Sequence, residues 1–164
     1  MQNVVHPFPP LYDENSRILI LGSFPSVKSR EQKFFYGHKQ NRFWRVTAAI
    51  FGEKTPETIE EKRAFLLRNH IALWDVIASC RIEGSSDATI KDVVPNDLSP
   101  ILKGADIRKI YCNGTKSYEL YRKYIEPETG RKAEKLPSTS PANAAVSLEQ
   151  LIRRWGVISE TDGN

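Results

Sequence analysis

Short apolar runs alternate along the chain with stretches whose apolar residues recur at helical spacing. Arg17-Ile18-Leu19-Ile20-Leu21-Gly22 follows the polar turn Asp13–Ser16 and closes on glycine. An uninterrupted run of this kind predicts a strand buried on both faces, as in a parallel sheet. Ile71–Ile77 and Ile107–Gly114 read the same way, and Ala133–Pro137 is a fourth candidate that Pro137 must end. Between them, Trp44, Thr47, Ala48 and Phe51 follow i, i+3, i+4, i+7 spacing, with Phe43, Val46 and Ile50 on the adjoining stripe. That helix is apolar nearly all round and should be central. Thr55-Pro56 predicts a capped helix running through Arg68. Tyr118, Tyr121 and Ile125 mark another, and Leu148, Leu151, Ile152 and Trp155 a last one, opened by a capping box of Ser147 and Gln150.

Strands that alternate with helices predict an α/β fold with a mostly parallel sheet. Three polar segments interrupt the alternation, at Ser23–Gln40, Ser79–Pro95 and Pro137–Ala145, and read as long loops. Ligands of such sheets sit beyond the carboxyl ends of the strands, so the first and last of these loops should flank a site.

Bulk composition narrows the classes. With 164 residues, 40% hydrophobic and 27% charged, the chain fits a single globular domain over residues 1–164. No apolar run approaches the ~18 residues of a membrane span. Met1–Pro7 lacks a basic region followed by an apolar stretch, so a cytoplasmic location without a secretory signal is expected. A net charge of +4 permits a polyanionic partner without requiring one. Cys80 and Cys112 are distant in sequence and belong to no paired motif, so reduced core thiols are expected and no metal. With no long amphipathic seam left over, a monomer is expected.

Four segments could carry chemistry. Gly22-Ser23-Phe24-Pro25-Ser26 follows the first strand, where backbone amides of a tight loop can hold a phosphate or a base carbonyl; alone, it reads first as a simple turn into a helix. Phe34-Phe35-Tyr36-Gly37-His38 sets three aromatics before a helix that Asn41 could cap. Such rings either stack a nucleobase or are buried beneath the first helix, and one or two of the three should be buried. Asn113-Gly114 closes the third strand, where a fixed carboxamide could satisfy an adjacent C=O and N–H, or simply end the strand in a turn. Pro137-Ser138-Thr139-Ser140-Pro141-Ala142-Asn143 places hydroxyls between prolines, which suits phosphate contacts but equally a solvated linker.

In this order and spacing the segments resemble the uracil-DNA glycosylase superfamily, over about Arg17 to Trp155. Gly-Ser-Phe-Pro-Ser stands in the place of its first motif and Ser-Thr-Ser-Pro-Ala-Asn in that of its second. With His38–Trp44 and Asn69–Val76 between, the pattern is most similar to the hypoxanthine-DNA (deoxyinosine) glycosylase family. The resemblance implies a three-layer α/β/α sandwich around a four-stranded parallel sheet, a DNA substrate and no cofactor. It implies hydrolysis of the N-glycosidic bond of a deaminated base, hypoxanthine first, flipped out of the duplex.

The resemblance also exposes departures. Phe24 stands where several branches place an Asp or Asn that positions water, and Ser138 where others carry His. The role of positioning water then falls to Asn41, with Asn113 assisting at the base. Gly22, Ser23, Phe24, Tyr36 and His38 complete the base-binding set, and Tyr36 falls where related enzymes place a stacking aromatic. Ser26, Ser138 and Ser140 would contact phosphates, and Asn143 the gap left by the base. A uracil or G/U-mismatch glycosylase, a non-catalytic DNA-binding member of the fold and an enzyme of free nucleosides remain open from sequence.

Overall fold

A computed structural model describes residues 2–160; Met1 and residues 161–164, part of the expected domain, lie outside the described residues. Its centre is a four-stranded, all-parallel sheet of β2 (Ile18–Gly22), β3 (Ile71–Asp75), β6 (Lys109–Asn113) and β7 (Glu134–Leu136), in the order β3-β2-β6-β7. Every residue of β2 and β3 is buried, which is why both read as unbroken apolar runs. The four strands were all legible, with no end off by more than two residues.

Helices flank this sheet. The apolar helix α2 (Phe43–Ile50) buries Phe43, Trp44, Val46, Thr47 and Ala48 and packs against α7 (Leu148–Trp155). The α7 capping box forms as expected, with Ser147 accepting from the Gln150 N–H. Helix α3 (Ile59–Arg68) begins later than Thr55-Pro56 suggests, because Thr58 makes a complete capping box with Glu61. The pattern around Tyr118 resolves into α5 (Thr115–Leu120), a π-helical turn over Tyr121–Ile125, and the short α6 (Glu126–Thr129). Two short helices complete the set: α1 (Val27–Gln32), into which Gly22–Ser26 leads as a simple turn, although the segment to Gln40 read as loop, and α4 (Ser99–Gly104), which no pattern marked.

The larger departure is a second sheet. The expected loop Ser79–Pro95 is instead a hairpin of β4 (Ile77–Glu83) and β5 (Ser86–Pro95), and β1 (Gln2–Val5) pairs antiparallel with β4. Register shifts along the hairpin break the period-two alternation that would have marked it. The chain passes from β3 into β4 through Val76 alone, so the run Ile71–Ile77 spans two strands of two different sheets. Backbone bonds from Val76 and Ile77 to Gly22 and Ser23 (2.8 and 3.1 Å) fix that junction against the end of β2.

Cys80 and Cys112 are both buried free thiols, and burial pushes Cys112 up to about 12. Among the described residues no helix is long and apolar enough to cross a membrane. Trp155 is fully buried, meets Phe43 edge-on at 5.8 Å and donates its indole N–H to the Pro137 carbonyl at 2.9 Å. It thereby ties α7 to the loop after β7. Trp155→Ala should lower unfolding free energy by about 3–5 kcal/mol, read from urea denaturation.

Candidate functional site

The carboxyl ends of β2, β3 and β6 open into one cavity of about 490 Å³, walled by the first loop, the aromatic segment, the hairpin tip and the loop after β7. The size lies within the roughly 300–1,000 Å³ usual for ligand pockets. Gly22, Ser23, Phe24, Ser26, Tyr36, His38, Asn41, Asn113, Ser138 and Ser140 all line it. Asn143 does not reach it. Its amide donates to the Ser138 carbonyl at 3.0 Å and its own carbonyl accepts from Arg42, so it braces the loop.

The two carboxamides meet through Thr139, which is completely buried. Asn113, ending β6, donates from Nδ2 to Thr139 Oγ1 (3.0 Å) and accepts the Thr139 N–H at Oδ1 (3.0 Å). The Thr139 hydroxyl in turn donates to Asn41 Oδ1 at 2.9 Å. Asn41 Oδ1 also accepts the Phe43 N–H at 2.9 Å, at the entry to α2. These bonds fill both lone pairs of the Asn41 oxygen, so the end of Asn41 available to the cavity is its NH2. Asn113 keeps one N–H and one lone pair. Arg42 locks the arrangement from behind, bonding the carbonyls of Ser140, Asn143 and Val146, while its own N–H reaches the Thr139 carbonyl.

The hydroxyls of the two loops are not equivalent. Ser26 caps α1, accepting from the Ser29 N–H and donating to Ser29 Oγ, so its proton is committed. Ser138 and Ser140 accept from the N–H groups of Ser140 and Ala142 and retain their own protons for a ligand. His38 accepts the Gln40 N–H at Nδ1. The glycines have cause as well: Gly114 takes a positive φ of 95°, and a Cβ there would meet Ser138 at 3.1 Å.

Of the three aromatics, Phe34 and Phe35 are buried, as the sequence allowed. Tyr36 adopts a left-handed backbone (φ 50°), held where Trp44 Nε1 donates to its carbonyl. One ring face stacks on Phe43 with centroids 4.2 Å apart. Its hydroxyl is buried and meets no hydrogen-bond partner in good geometry; burial, then the nearby Asp75 carboxylate, raise its pKa against a lowering by the neighbouring Asn113 amide, so that it stays a donor. Phe24 lies against Arg30, whose guanidinium stands 5.6 Å from the ring centroid.

Two acidic residues line the cavity that the sequence reading passed over, Asp75 and Asp87. Asp75 was visible as one charged residue closing an apolar strand, a signal that could have found it. Asp87 was hidden in the misread hairpin. The hairpin tip is latched onto the first loop: Ser23 donates to Asp87 at 3.0 Å, the Val27 N–H to Ser85 at 2.9 Å, and Arg30 to the Gly84 carbonyl at 2.7 Å. Although Asp87 as a residue is exposed, its carboxyl is drawn inward, and burial raises its pKa against the lowering by Ser23. Among the described residues no three His, Cys, Asp or Glu side chains gather as they would around a metal ion.

Two outcomes should follow. Thr139→Val keeps the shape but strips a donor and an acceptor from the bridge, and should cost about 1–3 kcal/mol in urea denaturation. Folded Asp87 holds its proton to higher pH than the unfolded carboxyl, which titrates near ~3.9. Its cost to stability therefore builds as pH rises from that unfolded value and is complete above the folded pKa. Asp87→Asn should raise the urea midpoint above wild type at neutral pH, with the gap closing as pH falls to the unfolded value.

Comparison with known proteins agrees with this arrangement. The family model described as the uracil DNA glycosylase superfamily matches residues 9–155. A hypoxanthine DNA glycosylase of Methanosarcina acetivorans is 38% identical over 142 residues, covering 85% of this chain and 89% of that protein. Its namesake from Methanosarcina barkeri is 40% identical over 139 residues, covering 83% and 86%. A solution NMR structure of a Methanosarcina acetivorans protein, provisionally described as a uracil DNA glycosylase, superposes with a TM-score of 0.81 at 35% identity, over 95% of this chain and 97% of that one. A match running from the segment before β2 to the end of α7 takes in every strand of the parallel sheet and both carboxamides, and on it the chain belongs to the uracil DNA glycosylase superfamily.

Proposed function

We propose that this chain is a base-excision repair glycosylase that removes hypoxanthine from DNA by hydrolysing its N-glycosidic bond. The observation that carries the proposal is the Thr139 bridge, which seats Asn41 and Asn113 together at one cavity. The names and similarity of the Methanosarcina relatives select hypoxanthine within the family.

The damaged nucleotide must leave the stack, at a cost of a few kcal/mol that is lowest at a mispair. Ser138 and Ser140, with protons to donate, contact the flanking phosphates. The base enters beside Phe24 and the free face of Tyr36. Asn113 offers its remaining N–H to the base carbonyl. As the bond breaks, electrons pass to the base and positive charge grows on the sugar. The fixed Asn113 N–H stabilises the departing base, and the Asp87 carboxylate at the hairpin tip stabilises the cation. A carboxamide is too weak a base to take a proton from water. Asn41 acts instead through its NH2, donating to the water oxygen and holding it against the anomeric carbon; as the new carbon–oxygen bond forms, the water's proton is lost and the departing base anion takes up one proton, so the base leaves neutral.

The test is incubation with duplexes carrying inosine, uracil or xanthine, followed by alkali, which breaks the strand only where a base is gone. Inosine duplexes should be cut. Cleavage at uracil with none at inosine would favour the mismatch-uracil activity, and no cleavage with intact DNA binding a non-catalytic module. Under single turnover, Asn41→Ala and Asn113→Ala should each slow inosine excision by more than about tenfold. Wild-type rates in both would overturn the roles given to them.

A further inference from the structure

The cavity floor holds a charged group that the carboxamide bridge does not use. Asp75 ends β3 and is 4% exposed. Its Oδ2 is held at 2.7 Å by His6 Nε2, from the segment after β1. The His6 ring is wedged between Phe8 and Trp74, with centroids 4.4 and 4.5 Å away. Asn96 fixes the Asp75 carbonyl at 2.8 Å. The carboxylate therefore has one fixed orientation.

That orientation aims Oδ1 at the bare α-carbon of Gly22. A Cβ placed there would stand 2.4 Å from Asp75 Oδ1 and 3.3 Å from the Tyr36 hydroxyl. Both oxygens thus lie within 3.3 Å of one point on the cavity wall. Among the described residues Oδ1 receives no hydrogen bond, and the Tyr36 hydroxyl donates none. An acceptor and a buried donor, both on residues that line the cavity, are thus left without a hydrogen bond near one point.

We infer that Asp75 is the specificity-determining residue by which this cavity tells hypoxanthine from adenine. The inference rests on the glycosylase reading above and concerns its substrate choice. The two bases differ along one edge. Hypoxanthine carries a hydrogen on N1 and an acceptor oxygen on C6, whereas adenine carries a lone pair on N1 and an amino group on C6. A carboxylate oxygen accepts the N1–H in a charge-assisted bond. Facing adenine, the same oxygen meets the N1 lone pair and is left buried without a donor, while the base is repelled. The Tyr36 hydroxyl and the remaining Asn113 N–H serve the two lone pairs of the C6 oxygen. A hydroxyl can turn to accept from an amino group, so Tyr36 alone would discriminate poorly. A carboxylate cannot become a donor. His6 is a positioning residue that prevents Asp75 from turning away.

The experiment compares duplexes containing inosine, adenine or deoxynebularine, the unsubstituted purine that lacks both the N1–H and the C6 oxygen. Binding is read by fluorescence anisotropy with non-cleavable 2′-fluoroarabino forms of each, and excision by single turnover on the natural sugars. Wild type should bind the inosine duplex far more tightly than the other two. Asp75→Asn should weaken inosine binding by about tenfold or more while leaving nebularine and adenine unchanged or improved, so that the preference collapses. An equal loss on inosine and nebularine, or no loss on inosine, would overturn the assignment. If Asp75→Asn does not fold, Tyr36→Phe decides: a loss confined to inosine supports the edge-reading pair, and an equal loss on both overturns it. Wild-type protein that excises no inosine would refute the glycosylase reading separately.

Discussion

One buried threonine sets what every other group in the cavity can do. Thr139 has no exposed surface, and its hydroxyl is both donor and acceptor between two carboxamides that belong to different elements. A half-satisfied polar network in a low-dielectric interior is costly, and a satisfied one is rigid. Here the satisfaction also fixes polarity. Because the Asn41 oxygen is filled by Phe43 and Thr139, that residue can approach a ligand only as a donor. The Arg42 guanidinium, spread over three carbonyls of the loop after β7, and the Arg42 N–H, bonded to the Thr139 carbonyl, hold Thr139 where both bonds close. The parallel sheet supplies the frame, since it delivers Gly22, Asp75 and Asn113 to the same edge from three adjacent strands.

This arrangement accommodates the positions at which the chain departs from other branches of its superfamily. Phe24 cannot hold water, and Ser138 cannot protonate or polarise a leaving base as an imidazole would. Polar groups reach the cavity from other directions: an amide at the entry to α2, a carboxylate from the end of β3, and another from a hairpin tip.

The sequence made the parallel sheet legible because strands buried on both faces write themselves as apolar runs. It made α2 and α7 legible through helical periodicity. The hairpin escaped because its bulges disrupt alternation and its tip, Gly84-Ser85-Ser86, reads as loop. Asn41 and Asn113 could be singled out as carboxamides at element ends, but what joins them could not. Thr139 lay inside a Ser/Thr/Pro segment where a hydroxyl suggests a phosphate, and nothing local says that it points inward. The His6–Asp75 pair spans 69 positions, and no local pattern encodes it. Asn143 was over-read for the converse reason, since a polar residue in a promising loop is as readily a brace.

The attachment of β1 to the outer edge of the hairpin has a consequence for how the molecule is made. The segment carrying His6 leaves the ribosome well before β4 and β5, the strands on which it docks. Until the hairpin exists, Asp75 has no imidazole to hold it and the cavity floor is unfinished. β6 and β7 emerge later still, so the hairpin can take up β1 and bring His6 to Asp75 while the parallel sheet is only half built. The floor beneath Asp75 is thus set before Asn113 and Thr139, which lie further along the chain, arrive to build the opposite wall.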